Sequence, residues 1–253
     1  MFLGIDIGNS SITFGVFENN DIIDVFRIDN ISNADEYFYK SQISEKTNRY
    51  NIDSCGIISV SQGMENIIKS VCDNLYKINS LIPDYSSFRD MRILVEKPET
   101  VGIDRLINAY AIRDLASAPI IVVDAGTAIT LDVVSKEGDF MGGVIMPGIN
   151  MQFKSLYNNT SKLPLIIPAE SKSTIGKNTE NSILSGVIRG TAHAIDGLLS
   201  ECTDELKETP QIVLTGGQGG LILKYINTKV NFVMPNLTLI GIKKIYNAIN
   251  LIK

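Results

Sequence analysis

Residues 4–17 read Gly-Ile-Asp-Ile-Gly-Asn-Ser-Ser-Ile-Thr-Phe-Gly-Val-Phe, and residues 121–134 read Ile-Val-Val-Asp-Ala-Gly-Thr-Ala-Ile-Thr-Leu-Asp-Val-Val. Each stretch is an apolar strand, then Asp-x-Gly and a polar residue, then a second strand of alternating or β-branched residues. Asp6 falls opposite Asp124, Gly8 opposite Gly126, and Asn9 opposite Thr127. A glycine in so short a connection lets the chain turn tightly and brings backbone N–H groups to a surface. The near-repeat predicts a duplicated α/β domain with a cleft between its halves.

Outside the two hairpins, strands are expected at Ile22–Arg27, Ser54–Val60, Ile93–Val95, Gly143–Ile145, Gln211–Thr215 and Asn231–Val233. Helical spacing fills the intervals at Ala34–Lys46, Met64–Asn74, Ile103–Leu115, Ile149–Tyr157, Ile183–Leu206, Gly220–Tyr225 and Thr238–Leu251. Strand runs followed by helices indicate mixed α/β layers. The first half is expected over residues 1–114 and the second over 115–253, with the C-terminal helix free to cross back to the first half.

Composition narrows the chemistry. The 253 residues are 44% apolar and 20% charged, a balance suited to a packed core and not to disorder. A formal charge of −5 without a Lys/Arg cluster argues against nucleic acid as a partner. Asp6 interrupts the first apolar run and no basic segment precedes it, so neither a signal peptide nor a membrane span is expected. Cys55, Cys72 and Cys202 are isolated and odd in number. They read as buried free thiols, which suits a cytoplasmic protein. His193 is the single histidine and lies within a helical pattern, Ser182–Ser200, where a structural role is expected. A histidine-rich metal site is impossible, and no Gly-x-Ser-x-Gly elbow accompanies His193 for nucleophilic hydrolysis. Carboxylates must carry whatever catalysis there is.

An aspartate at a strand end beside a Gly-Asn-Ser turn can hold Mg²⁺, directly or through water, while the turn N–H groups, Asn9 and Ser10 meet phosphate oxygens. One such hairpin alone reads more readily as a plain turn that Asp6 supports. The second copy, Asp124-Ala125-Gly126-Thr127, tips the reading towards a triphosphate and its cation. Leu214-Thr215-Gly216-Gly217-Gln218-Gly219-Gly220 is a strand ending in a glycine-rich turn before a helix, suited to a nucleoside. It is neither a Walker loop nor a dinucleotide fingerprint. Gly102-Ile103-Asp104-Arg105 opens an amphipathic helix. Local sequence leaves two readings of it open: an acid stabilising a helix start, or Asp104 taking a proton from a substrate hydroxyl while Arg105 pairs with a substrate anion. Met141-Gly142-Gly143-Val144-Ile145-Met146-Pro147-Gly148 is a glycine-bracketed strand suited to close packing or to a pocket wall.

Taken together these residues resemble the type III pantothenate kinases. Asp6-Ile7-Gly8-Asn9-Ser10 is similar to that family's first phosphate motif, with Ser in place of the usual Thr. Gly102-Ile103-Asp104-Arg105 with Asn108-Ala109 resembles its Gly-x-Asp-Arg motif, and Asp124-Ala125-Gly126-Thr127-Ala128 its second phosphate motif. Gly142–Gly148, Leu163-Pro164 and Gly176-Lys177-Asn178-Thr179 follow in family order. Two places depart from the pattern: Val95 stands where a pocket Tyr is usual, and Ser61-Gln62 lacks a usual proline.

The resemblance implies an actin/hexokinase-like (ribonuclease H-like) α/β fold of two duplicated domains, with mixed sheets flanking an interdomain cleft. It implies phosphorylation of pantothenate by ATP to 4′-phosphopantothenate, the first step of coenzyme A biosynthesis. By the same analogy Asp104 is the general base, and Gly102, Ile103 and Arg105 bind pantothenate. Asp6, Gly8, Asn9, Ser10, Gly126, Thr127, Gly216 and Gly217 bind ATP. Asp6 serves Mg²⁺ and Asp124 a monovalent cation, K⁺ or NH₄⁺. Thr179 reaches the pantothenate of a neighbouring subunit in a homodimer. Two other readings share the scaffold: a regulatory homologue without turnover, and a kinase of another small hydroxy acid. Retention of all three aspartates distinguishes the first, and a substrate panel the second.

Overall fold

The computed structural model describes residues 1–31, 34–61, 63–114 and 119–251. The chain divides into two compact units, Met1–Asp114 with Leu237–Lys253, and Leu115–Asn236.

In the first unit, β1 (Phe2–Ile7), β2 (Ser11–Glu18) and β3 (Asp21–Asp29) form an antiparallel meander, and β4 (Ser54–Ser59) adds beside β1 in parallel, giving the order β3-β2-β1-β4. Strict alternation along β1 and β2 buries Leu3, Ile5, Ile7, Ile12, Phe14 and Val16 on one face. Two helices close that core, α1 (Glu36–Thr47) through Tyr39 and Ile43, and α2 (Met64–Tyr76) through Ile68, Val71 and Cys72. Asp35 caps α1 by accepting from the Phe38 N–H at 2.9 Å.

The opposite face is paved with glycine. Gly15, Gly4 and Gly56 stand side by side across β2, β1 and β4. On this floor lies the C-terminal helix, α8 (Leu237–Asn250), numbered last in the chain. A Cβ on Gly15 would lie 2.8 Å from Leu239 Cδ1, and one on Gly56 2.9 Å from Ile242 Cγ2. Helix α3 (Ile103–Ile112) packs against α8, where Gly241 approaches so closely that a Cβ would sit 2.5 Å from the Ile107 carbonyl oxygen. Phe2 and Tyr246 add a ring contact at 4.8 Å between centroids. Residues 237–253 therefore leave the second half, to which the domain bounds 115–253 assigned them. The apolar stripe Leu237, Leu239, Ile242, Ile245 finds its complement on the glycine floor.

The second unit repeats the plan. Strands β5 (Ile120–Ala125), β6 (Ala128–Val134) and β7 (Phe140–Pro147) form the meander; β8 (Gln211–Thr215) and the two-residue β9 (Phe232–Val233) extend it in parallel, giving β7-β6-β5-β8-β9. Even the register shift between the second and third strands recurs, at Val16/Phe17 and at Val133/Val134. The core between Ile121, Val123, Leu131 and Leu214 is covered by α4 (Ile149–Asn158), by α5 (Thr179–Leu184) and α6 (Gly190–Leu206), and by α7 (Gly219–Leu223). The expected helix over Ile183–Leu206 is one continuous rod in which Ser185–Arg189 is wound as a π-helix.

Two expectations change. Ile93–Val95 is not a strand: Ile93 makes an isolated bridge, and the chain bends at Val95 and Glu96 before the 3₁₀ turn Pro98–Thr100. Cys202 is half-buried, whereas Cys55 and Cys72 are buried; all three are free. Leu115 and Gln62 lie outside the described residues. Among the described residues no helix is long and apolar enough to cross a membrane.

Candidate active site

The two hairpins place their aspartates alike, although residues 8–10 connect the first pair of strands and only residues 126–127 the second. Asp6 is the penultimate residue of β1 and pairs with Thr13; Asp124 is the penultimate residue of β5 and pairs with Thr130. Each turn is closed by its glycine, Gly8 N–H donating to the Ser11 carbonyl and Gly126 N–H to that of Ala128, both at 3.0 Å. Asn9 and Ser10 are exposed at the first tip and Thr127 at the second, open to a ligand.

Each hairpin is braced from its own unit. Asn30 donates its side-chain N–H to the Gly8 carbonyl at 2.8 Å, and its backbone N–H to the Ser10 carbonyl at 3.1 Å. Val60 N–H reaches the Ile7 carbonyl at 3.0 Å. In the second unit Gly148 presses on the turn: a Cβ there would collide with the Thr127 carbonyl oxygen and lie 2.7 Å from that of Gly126. The glycine-bracketed strand thus serves close packing. Gly148 belongs to a segment the sequence marks for close packing, whereas the Asn30 brace is not singled out there. Asn30 sits 22 residues from its partner without periodicity to mark it.

The glycine-rich turn after β8 comes to the same place as the second hairpin, because β8 runs parallel to β5 with Thr215 beside Asp124. Gly216 has φ +88°, and its missing side chain is where the Asp124 carboxylate lies. Gln218 N–H ties the turn to the Ala125 carbonyl at 3.0 Å. Asp124, Gly126, Thr127, Gly216 and Gly217 therefore form one surface. Asp132, wholly buried, accepts from Thr130 Oγ1 at 2.8 Å two register steps further along β6. A carboxylate inside a β-branched run was its only signal in the sequence.

Asp104 lies in the first turn of α3 behind Gly102, which makes no side-chain cap. Its Oδ1 accepts from the Arg105 N–H at 2.9 Å, and a Cβ on Gly102 would stand 2.6 Å from that oxygen. Burial pushes the Asp104 carboxyl above the ordinary carboxylate range, against the opposing pull of the Arg105 N–H and charge. A half-buried carboxylate of raised pKa, fixed at one oxygen, is the arrangement a proton acceptor needs. Ile103 and Val101 line a groove of about 560 Å³ that also carries Glu65, Asp84 and Glu99.

Thr179 is the first residue of α5, with Asn178 capping the helix through the Asn181 N–H at 2.8 Å. Together with Lys177, Leu163, Ile183 and Val187 it lines a groove of about 570 Å³. The preceding segment is clamped at Ser171, whose carbonyl accepts from Tyr225 Oη at 2.7 Å and from Arg189 at 3.1 Å. His193, expected to be structural, is exposed on α6, 3.9 Å from Asp196. Among the described residues no group of three or more His, Cys, Asp or Glu side chains converges as a metal cage.

Comparisons with known proteins give the family and the fold. A family model described as type III pantothenate kinase matches residues 2–201. A curated type III pantothenate kinase of Syntrophus aciditrophicus is 34% identical over 255 residues, covering 97% of this chain and 98% of the relative. Another, from Persephonella marina, is 34% identical over 252 residues and covers 98% of each. Among solved structures, MreB5 of Spiroplasma citri bound to ADP aligns with a TM-score of 0.56 at 12% identity, covering 100% of this chain and 98% of that one. That likeness shows the fold, an actin/hexokinase-like ATPase architecture, and nothing more. With the family model across most of its length and relatives across nearly all of it, the chain belongs to the type III pantothenate kinase family and is a kinase that uses ATP to phosphorylate pantothenate.

Proposed function

We propose that Asp104 takes the proton of the terminal hydroxyl of pantothenate as that oxygen attacks the γ-phosphorus of ATP. The bond to the β-phosphate oxygen breaks, ADP leaves, and 4′-phosphopantothenate forms. The observation that carries this reading is the half-buried Asp104 carboxylate, fixed by the Arg105 N–H at 2.9 Å and held above its ordinary pKa by partial burial. Arg105 pairs with the substrate anion, and Gly102 and Ile103 form the wall beside it. Gly8, Asn9 and Ser10 on one hairpin, and Gly126 and Thr127 on the other, each take phosphate oxygens through N–H and side-chain donors. Gly216 and Gly217 give the nucleoside a flat surface. Positioning and neutralisation of charge dominate such a transfer.

The donor set fits cations completed by phosphate and water better than an all-protein cage, since each hairpin offers one carboxylate and no three-ligand cluster occurs among the described residues. Asp6 would hold Mg²⁺, through water, and Asp124 a monovalent cation. Both would neutralise phosphate charge.

Thr179 belongs in this reading to the pantothenate site of a neighbouring subunit. Its groove and the exposed apolar residues Leu165, Ile167 and Ile175 on the adjoining segment support a homodimer. The three free thiols support action in a reducing compartment, the cytoplasm.

The test is product identity. Incubation with ATP, Mg²⁺ and a panel of small hydroxy acids, in potassium or sodium buffer, should give 4′-phosphopantothenate by mass spectrometry, with potassium required. Phosphorylation of another acid in preference would overturn the substrate. Absence of any product from folded protein would favour the regulatory reading.

A further inference from the structure

The C-terminal helix makes a polar contact one turn along α3 from Asp104. Thr238, in the first turn of α8, donates its hydroxyl to Asn108 Oδ1 at 2.9 Å. Asn108 is 1% exposed and stands four residues after Asp104, on the same side of α3 one turn along. Two further contacts continue the seam in the same direction. Gly241 admits the Ile107 carbonyl at backbone distance, and Lys244 Nζ donates to the Ala111 carbonyl at 2.9 Å and to Asp114 at 2.8 Å. Residues 238, 241 and 244 are spaced by one helical turn, so one stripe of α8 grips α3 along its length. The Lys244 end is exposed, whereas the Thr238 end is the one beside Asn108. The family model ends at residue 201, so this helix lies outside the stretch that model matches.

Helix α3 has no side-chain cap at Gly102, and Asp104 lies in its first turn. An uncapped first turn frays unless the next turn is held. One tie on the next turn is at Asn108, whose Oδ1 accepts the Thr238 hydroxyl and so favours one amide orientation.

We propose that Thr238 is a positioning residue for phosphoryl transfer, acting through Asn108 to keep the first turn of α3, and with it the Asp104 carboxylate, in register with the substrate hydroxyl. The inference rests on the reading of Asp104 as the base. Thr238 touches neither substrate in this account. Its removal should therefore lower kcat while leaving the KM for ATP unchanged, because the residues assigned to phosphate lie on the hairpins.

The experiment uses the full-length chain with saturating pantothenate and varied ATP. Thr238→Val, which keeps shape and removes the donor, should lower kcat roughly tenfold, within the loss that a misplacement of up to about 1 Å produces. Thr238→Ser should restore the rate, since it returns the hydroxyl. Thr238→Ala serves in place of the valine variant if the latter does not fold. Wild-type kcat in a folded Thr238→Val or Thr238→Ala would overturn the inference, as would failure of Thr238→Ser to recover activity. Asp104→Asn separates the two layers of the argument. If it retains near wild-type turnover, the base assignment fails and Thr238 has nothing to position. If it is inactive while Thr238→Val is unaffected, only the present inference fails.

Discussion

Replacing Gly102 by Ala should cost turnover and spare the fold. The backbone at Gly102, φ −55° and ψ 131°, is open to any L-residue, so the substitution introduces no strain there. Ala also restricts the unfolded chain, which favours folding by about 0.4–1 kcal/mol. What Ala cannot avoid is the Asp104 carboxylate, since its methyl carbon would stand 2.6 Å from Oδ1. That oxygen must retreat by roughly 0.5–1 Å to reach ordinary contact distance. Retreat lengthens or breaks its 2.9 Å hydrogen bond from the Arg105 N–H, a bond to an ionised acceptor. Such bonds contribute about 1.5–3 kcal/mol, more than the gain from the unfolded chain. Net stability should fall by about 0.5–2.5 kcal/mol, which a folded domain tolerates, while displacement of the base by this distance lowers kcat by about ten- to a hundredfold. Steady-state ATP consumption at saturating pantothenate measures the rate, and thermal unfolding the stability. Wild-type kcat in Gly102→Ala would refute the reasoning, because the carboxylate would then be working from a place it cannot occupy beside a methyl group.

Other consequences follow from the same contacts. Because burial holds the Asp104 pKa above its ordinary value, the folded protein binds more protons than the unfolded chain between the two pKa values, and stability falls as pH rises through that window. Asp104→Asn should therefore unfold a few degrees higher than wild type at neutral pH while losing turnover, as calorimetry would show. The acid limb of kcat/KM should lie above the ordinary carboxylate range and move with conservative changes at Asp104. Gly148→Ala drives a methyl group into the Gly126 and Thr127 carbonyls, which are backbone and cannot swing aside. It should destabilise by more than about 2 kcal/mol in denaturant titration and, where folded, raise the KM for ATP. Asn30→Ala removes the 2.8 Å bond to the Gly8 carbonyl and should raise the KM for ATP several-fold with little change in unfolding temperature.

Much of this was written in the sequence. The Asp-x-Gly repeat predicted two hairpins, and the structure matches them down to the glycine N–H that closes each turn and the register shift in each meander. Local pattern sufficed there because a hairpin is made by contiguous residues. The glycine-rich turn after β8 was legible as a turn, but its place against Asp124 came from the parallel pairing of strands that lie far apart in the chain. Long-range packing was also what the sequence withheld elsewhere. Gly4, Gly15 and Gly56 are unremarkable singly, and only their alignment across three strands makes a bed for α8. Asn30, Gly148 and Thr238 act on residues distant in sequence, and no periodicity announces them. Ile93–Val95 failed as a strand because the chain bends at Val95 and Glu96, leaving Ile93 a lone bridge.

The most direct test of the account is the turnover of Asp104→Asn at saturating ATP, Mg²⁺ and pantothenate, beside its affinity for ATP. The amide keeps the shape of the carboxylate and cannot accept the hydroxyl proton. The account predicts a rate lower by about 10²–10⁴ with ATP binding retained. A near wild-type rate would contradict it, and the proton would have to leave by another route.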